Sequence, residues 1–363
     1  MTESPSDKSA PTVVGLFDHT PDSLRDLLSE WKEPAFRVSQ ILRWAYVDGA
    51  TEYDAMTNLS KSLREKLADR VPFYQSKIAG EQVSKDGTTK RLLAWGDGAT
   101  SECVLIPGDG RRTACISSQV GCPVGCVFCA SGLDGLVRQL TAGQIVEQAM
   151  RIRQLCGDDA RLSNVVFMGL GEPLANYSAT IQAVRTINAE WGLGIGARKI
   201  TVSTVGLENQ MRRLADEKLQ ITLALSLHAP TDELRRELIP WADRVSINAL
   251  VEAAKYYFDK TGREVTLEYI LIGGVNDSTA HAHSLARISR SMRSNVNLIP
   301  YNPIDGLPYK RPTHHAVQDF LATLVADGIN AHVRVSRGLD IDSACGQLRR
   351  RGADRVEITV RPS

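Results

Sequence analysis

The stretch Asn164-Val165-Val166-Phe167-Met168-Gly169-Leu170-Gly171-Glu172-Pro173 decides how the rest of the chain is read. An apolar run without polar alternation stops abruptly at glycines and a carboxylate. A strand apolar on both faces belongs in a sheet covered on each side, and such sheets are parallel. The pattern recurs downstream. Strands are expected at Lys199–Ser203, Gln220–Leu227, Val265–Ile272, Val296–Ile299 and His332–Val335. The intervening segments Thr141–Leu155, Ser178–Ala189, Ile247–Phe258 and His315–Ala326 have the apolar period of helices. About six strand–helix units predict an α/β fold, a partial or full parallel (β/α) barrel with right-handed crossovers. An open doubly wound sheet is the alternative, disfavoured because no G-x-G-x-x-G opens the first unit. Chemistry in a barrel gathers at the carboxyl ends of its strands. Those ends carry Gly171 and Glu172, Ser203-Thr204, Ser226-Leu227-His228 and Pro300-Tyr301-Asn302-Pro303.

Upstream the rhythm differs. Residues 1–12 are rich in Ser and Pro and read as a disordered tail. From Pro21 to about Arg70 the pattern is helical, with Asn58-Leu59-Ser60 as a helix start. This predicts a small helical N-terminal domain over 13–75. From Ile78 to Pro107 the period shortens, and Asp86-Gly87 and Asp97-Gly98 signal turns. A short antiparallel β-meander is expected there, as a connecting segment over 76–110. The barrel would occupy 111–350, followed by a C-terminal extension over 351–363.

Composition bounds the class. Of the 363 residues, 43% are hydrophobic and 23% charged, close to the globular average, which excludes wholesale disorder. The net charge of +1 offers no global argument for a polyanionic partner. Residues 281–363 are locally basic, with 12 cationic against 7 anionic side chains and Arg349-Arg350-Arg351 near the end. That flank suits a phosphate-bearing partner, or is a solvated face. No signal peptide opens the chain and no apolar run is long enough to span a membrane, so a cytoplasmic protein is expected.

Seven cysteines, an odd number in a large chain, argue against a disulfide scaffold and for metal or redox chemistry. Three of them form Cys122-Pro123-Val124-Gly125-Cys126-Val127-Phe128-Cys129, a C-x3-C-x2-C arrangement directly after the first barrel strand. Three thiolates on a short loop can hold three irons of a 4Fe-4S cube and leave the fourth open, unlike the four-cysteine set of an electron-transfer cluster. The open iron can chelate the amino and carboxylate groups of S-adenosylmethionine (SAM). A zinc site with Cys115 as fourth ligand is the competing reading, but zinc favours paired C-x2-C knuckles.

The chain resembles the radical SAM enzymes, and within them the RlmN/Cfr RNA methyltransferases. The resemblance runs from about Phe36 through Met56–Ser60, Cys115–Cys122, Gly169–Leu174, Ser226–Pro230, Val296–Pro303 and Asp340–Gln347. It implies that Cys122, Cys126 and Cys129 hold the cluster, and that Gly171, Glu172, Ser203, Ser226, Leu227, His228 and Asn302 contact SAM. It also implies that Cys345 receives a methyl group, that Cys115 is its resolving partner, and that Glu102 accepts a proton. The resemblance further implies the following scheme, in which two SAM molecules are consumed per turnover. One methylates Cys345; the other yields an adenosyl radical that takes hydrogen from that methyl. The resulting carbon adds to adenine, and Cys115 then attacks Cys345, leaving a transient disulfide. The implied substrates are an adenosine of 23S rRNA and one beside the tRNA anticodon, methylated at carbon 2. An external electron donor is implied, and the chain is expected to act as a monomer.

The competing readings are specific. A Cfr-type enzyme would place the methyl on carbon 8, although Gly171-Glu172-Pro173 looks more like the RlmN branch. A zinc-stabilised RNA-binding protein would use the cysteines and the basic tail but leave the barrel-end motifs unexplained. Glu102 could be a plain surface carboxylate, and His228 a structural histidine. Cys103 and Cys156 read as packing residues, and His281, His283, His314 and His315 as members of exposed helices.

Overall fold

The computed structural model describes residues 13–157 and 161–348. The 1–12 tail, the 351–363 extension and Arg349–Arg351 lie outside the described residues. Three helices come first. α1 (Pro21–Glu30) starts where the Thr20 hydroxyl accepts from the Ser23 amide, with proline in the first turn. α2 spans Phe36–Tyr46. α3 (Lys61–Arg70) begins at the expected place, its Ser60 hydroxyl accepting from Leu63. Next come β1 (Ser76–Val83), β2 (Thr89–Trp95) and β3 (Thr100–Gly108), an antiparallel meander. Its turns are closed by aspartates: Asp86 accepts from the Thr88 amide at 3.0 Å and Asp97 from Ala99 at 3.0 Å.

The barrel follows. β4 (Arg111–Cys115) is its first strand. β5 (Gln119–Gly121) and β6 (Leu136–Gln139) form a separate hairpin that the sequence pattern had not shown. The remaining elements alternate: α4 (Ala142–Arg153), β7 (Asn164–Phe167), α5 (Tyr177–Asn188), β8 (Ile200–Thr204), α6 (Glu208–Asp216) and β9 (Thr222–Ser226). After α7 (Asp232–Leu238) and α8 (Ile247–Thr261) come β10 (Val265–Leu271), α9 (Thr279–Arg290), β11 (Ser294–Pro300), α10 (His314–Ala326) and β12 (Ala331–Val333). Every pairing from β4 through β7 to β12 is parallel and sequential. Because the strand order never reverses, a doubly wound sheet is excluded. Among the described residues the first and last strands of the sheet do not pair, and the barrel is partial.

The meander does more than connect. β3 pairs antiparallel with β4, placing Val104 opposite Cys115, and so extends the barrel's sheet to ten strands. The N-terminal helices likewise share the barrel's core. Phe17 packs edge-on against Tyr46 and Phe73 in one apolar cluster that also holds Val165, Leu267 and Phe320. Two carboxylates, the half-buried Asp18 and the buried Glu147, stitch this contact. Asp18 accepts from the Gly143 amide at the start of α4 at 2.8 Å, and Glu147 from the Gln75 and Ser76 amides at 2.7 and 2.9 Å. Each satisfies backbone donors that would otherwise be stranded away from water.

Candidate active site

The cysteine triad hangs on the loop between β5 and β6 and so follows the hairpin strand, not β4 directly as the sequence pattern suggested. The Cys122 amide donates to the Gly135 carbonyl at 3.1 Å, and the Cys129 amide to Cys126 at 3.1 Å, curling the loop so that all three thiols face one side. They pack on an apolar patch with Val124, Phe128 and Ile270 and line one cavity of about 160 Å³. Burial pushes the Cys122 thiol up to about 12 and raises Cys126 and Cys129, with the neighbouring thiols adding to each. Three adjacent thiolates in such a place need bound positive charge, and an iron cluster supplies it. Cys115 lines a different cavity.

The strand ends meet the triad across this cavity. Residues 169 and 170 are tied to the chain after β4, Gly169 donating to the Ile116 carbonyl at 3.1 Å and Leu170 to the Ser117 hydroxyl at 2.9 Å. Gly171 has a φ of +101°, and a Cβ there would come within 2.6 Å of Gln119 Cβ and 2.8 Å of Ser118 Oγ. Glu172 accepts from the Val205 amide at 2.8 Å and the Leu174 amide at 3.0 Å, tying the ends of β7 and β8 together. Burial raises its carboxyl to about 7 against the pull of those hydrogen bonds. Ser203 and Ser226 meet at 3.2 Å on adjacent strands.

His228 has a left-handed backbone, φ 61°, and its ring lies edge-on to Phe128. Its Nδ1 accepts from the Ile270 amide at 3.1 Å, which leaves the proton on Nε2. Burial and then Arg235 push its pKa down to about 3, so the ring is neutral. It is therefore both a structural histidine and part of the cavity wall. Leu227 is not part of that wall: its side chain is in the main core. Asn302 is displaced too. It lies against the Cys345 loop, accepting from Ser336 at 2.9 Å and Arg311 at 3.0 Å.

A second cavity, of about 50 Å³, is lined by Cys115, Met168, Asn302, Arg334 and Cys345. Cys345 lines both cavities. Both cysteines are free thiols in this structure. Burial pushes the Cys115 thiol up to about 12; Cys345 adds to this and Arg334 opposes it. Arg334, donating to Met168 Sδ at 3.4 Å, is held above the usual arginine range first by Cys345 and also by Glu268. Glu268 lines the first cavity and accepts from Asn297 at 3.1 Å. Sequence reasoning missed both. A lone carboxylate inside the buried strand Val265–Leu271 was a readable signal for Glu268; Arg334 had none.

Glu102 is no surface carboxylate. It is buried on β3 and pairs with Lys90, itself buried, at 3.2 Å. It lines neither cavity. Cys103 packs in the core, Cys156 is half-buried, and His283, His314 and His315 are exposed on their helices while His281 is half-buried.

Comparison with known proteins agrees with this geometry. Residues 14–72 match the family described as ribosomal RNA large subunit methyltransferase N-terminal domain, and residues 116–285 match the radical SAM superfamily. The probable dual-specificity RNA methyltransferase RlmN of Rhodopirellula baltica is 45% identical over 350 residues, 96% of this chain and 94% of that one. The chain belongs to the RlmN family. A Gloeobacter violaceus RlmN is 46% identical, covering 93% of this chain and 95% of its own. A crystal structure of a radical SAM methyltransferase from Sphaerobacter thermophilus superposes with a TM-score of 0.91 at 47% identity, over 93% of this chain and 99% of that one. As a radical SAM enzyme of the RlmN family, the protein uses a 4Fe-4S cluster and SAM. In this RlmN-family chain Gly171→Ala is expected to weaken SAM binding at least tenfold, about 1.4 kcal/mol. Titration calorimetry on cluster-loaded protein checks this, with iron content unchanged.

Proposed function

We propose that this protein methylates carbon 2 of an adenosine in 23S rRNA, and of an adenosine next to the tRNA anticodon, through a methyl group carried on Cys345. The observation that carries this reading is that Cys345 lines both the cavity of the cysteine triad and the cavity of Cys115. Bound in the first cavity, the cluster and SAM supply methyl groups and a carbon radical. Cys122, Cys126 and Cys129 hold the cluster; Gly171, Glu172, Ser203, Ser226 and His228 hold SAM, with Leu227 contributing backbone and Asn302 approaching beside Cys345. The neutral His228 ring offers a donor at Nε2 without adding a second positive charge near the sulfonium.

An adenine carbon bearing hydrogen is not nucleophilic, so the methyl needs a carrier. Cys345 provides it through its sulfur, with the Arg334 guanidinium lining the same cavity. Once its carbon is bonded to the ring, the radical adduct must give up one electron, which the oxidised cluster would take back, and one proton, for which Glu102 is the proposed acceptor. Cys115 Sγ then attacks Cys345 Sγ; the carbon–sulfur bond breaks, the released carbon takes up a proton to become the methyl group, methylated RNA leaves, and an external thiol reduces the disulfide. The target base must leave its stack to enter a cavity at the barrel mouth. Residues 13–75 grip the RNA by shape and backbone, and residues 111–350 carry the chemistry. The protein acts as a cytoplasmic monomer served by a separate electron donor. Among the described residues no helix is long and apolar enough to cross a membrane.

The test is regiochemical. RNA from cells lacking the enzyme, incubated anaerobically with cluster-loaded protein, SAM and reductant, is expected to gain 2-methyladenosine by nucleoside mass spectrometry. Only 8-methyladenosine would move the activity to carbon 8. No methylated adenosine, from protein that cleaves SAM, would remove RNA as the substrate.

A further inference from the structure

The loop that carries Cys345 is held on one side by the turn between β1 and β2. Asp86 Oδ2 accepts from the Gly338 amide at 3.0 Å. Asp340 accepts from Ser84 Oγ at 2.5 Å and from the Lys85 amide at 3.2 Å. Lys90 Nζ donates to the Asp342 carbonyl at 3.2 Å while it pairs with Glu102. On the other side the loop meets the triad. The Ala130 amide donates to the Gly346 carbonyl at 2.8 Å, and Ser131 Oγ to the Leu348 carbonyl at 2.8 Å. Cys345 sits between these two attachments.

Three features show that the first attachment is built. Asp342 is a non-glycine residue with φ 50°, a conformation that persists only where surroundings impose it. It is the residue whose carbonyl Lys90 grips. Gly338 has φ +64°, and a Cβ there would overlap Ser343 Oγ and approach Thr88 Cγ2 to 2.9 Å, so the loop needs glycine to seat on the turn. Burial raises the Asp86 carboxyl, but hydrogen bonds from Thr88 and Gly338 outweigh this and hold it near 2, so the acceptor stays ionised at working pH. Charge-assisted bonds of this kind are the stronger ones.

We propose that the β1–β2 turn is a clasp for the Cys345 loop, with Ser84, Asp86, Asp340 and Lys90 as positioning residues that set the balance of the thiol between its two cavities. The inference rests on the reading of Cys345 as the methyl carrier. The carrier must face the SAM cavity to be methylated and to yield hydrogen, then face Cys115 to be resolved. Its loop has no regular strand or helix beyond one short turn at Leu339–Ile341, so side-chain bonds define its place. Releasing the clasp frees the strained Asp342 and loosens the thiol from both positions.

The experiment uses cluster-loaded full-length protein. Alkylation of Cys345 by iodoacetamide is timed by peptide mass spectrometry, and the ratio of 5′-deoxyadenosine released to RNA methylated is measured alongside. Asp340→Ala is expected to alkylate at least tenfold faster than wild type and to raise the ratio severalfold, at unchanged iron content. Ser84→Ala should shift both in the same direction, and Ser84→Thr, which keeps the hydroxyl, should restore them. The Ser84 pair decides the matter if Asp340→Ala does not fold. Unchanged alkylation and unchanged coupling in an iron-replete variant would overturn the clasp. Absence of methyl on wild-type Cys345 would defeat the functional reading instead, and the alkylation contrast would still decide the clasp.

Discussion

Cys115→Ala protein is expected to accumulate RNA joined covalently to Cys345, whereas Cys345→Ala protein is expected to form no adduct at all. The two cysteines share one cavity, but only Cys345 also reaches the cavity of the triad. Removing Cys345 removes the thiol to be methylated, so neither methylated protein nor cross-linked RNA can form. Removing Cys115 leaves methylation, radical formation and attack on adenine intact. The adduct then stalls, because its carbon–sulfur bond persists until a nearby thiolate attacks the sulfur. Denaturing gels of Cys115→Ala protein should show an RNA-bearing band that nuclease shortens, with the modified nucleotide mapped to the Cys345 peptide. Methylated RNA should fall by at least a hundredfold in both variants. Equal, adduct-free inactivity would count against the division of roles. A fully active Cys115→Ala enzyme would end it.

Replacing Cys122, Cys126 or Cys129 by alanine is expected to lower iron to near zero and abolish SAM cleavage. Each thiolate binds a different iron, and three protein ligands already leave one iron without a cysteine. The triad packs on its own apolar patch with Val124 and Phe128, apart from the main core. The protein should therefore keep its fold: circular dichroism should match wild type while the absorbance of the cluster is lost. Cys115→Ala should retain full iron, since Cys115 lies in the other cavity. Iron loss in Cys115→Ala would restore the four-cysteine reading and sink the open-iron argument.

Much of the fold was legible because the relevant signals are local. Asn164–Phe167 and Val265–Leu271 announce strands by composition alone; each starts where expected and ends one residue earlier. The triad was legible for the same reason: its three ligands lie within one loop. The hairpin of β5 and β6 was not, because strands of three and four residues carry too little periodicity to register. α7, with seven residues, fell below the same threshold.

The sequence by itself determined the class of sheet, the chemistry at its strand ends and the cluster loop, since strand period and ligand spacing are properties of neighbouring residues. Only the tertiary structure decided that the barrel stays open and that the meander joins its sheet. It alone buried Glu102 against Lys90, moved Asn302 beside Cys345, and drew Arg334 and Glu268 to the site. These outcomes depend on strand register and on loop closures between distant segments. Val104 lies opposite Cys115, and Glu268 beside Ser226 and Asn297, only because whole strands align. No local pattern encodes such neighbours, because the contacts form only when the core excludes water and fixes one packing of the elements.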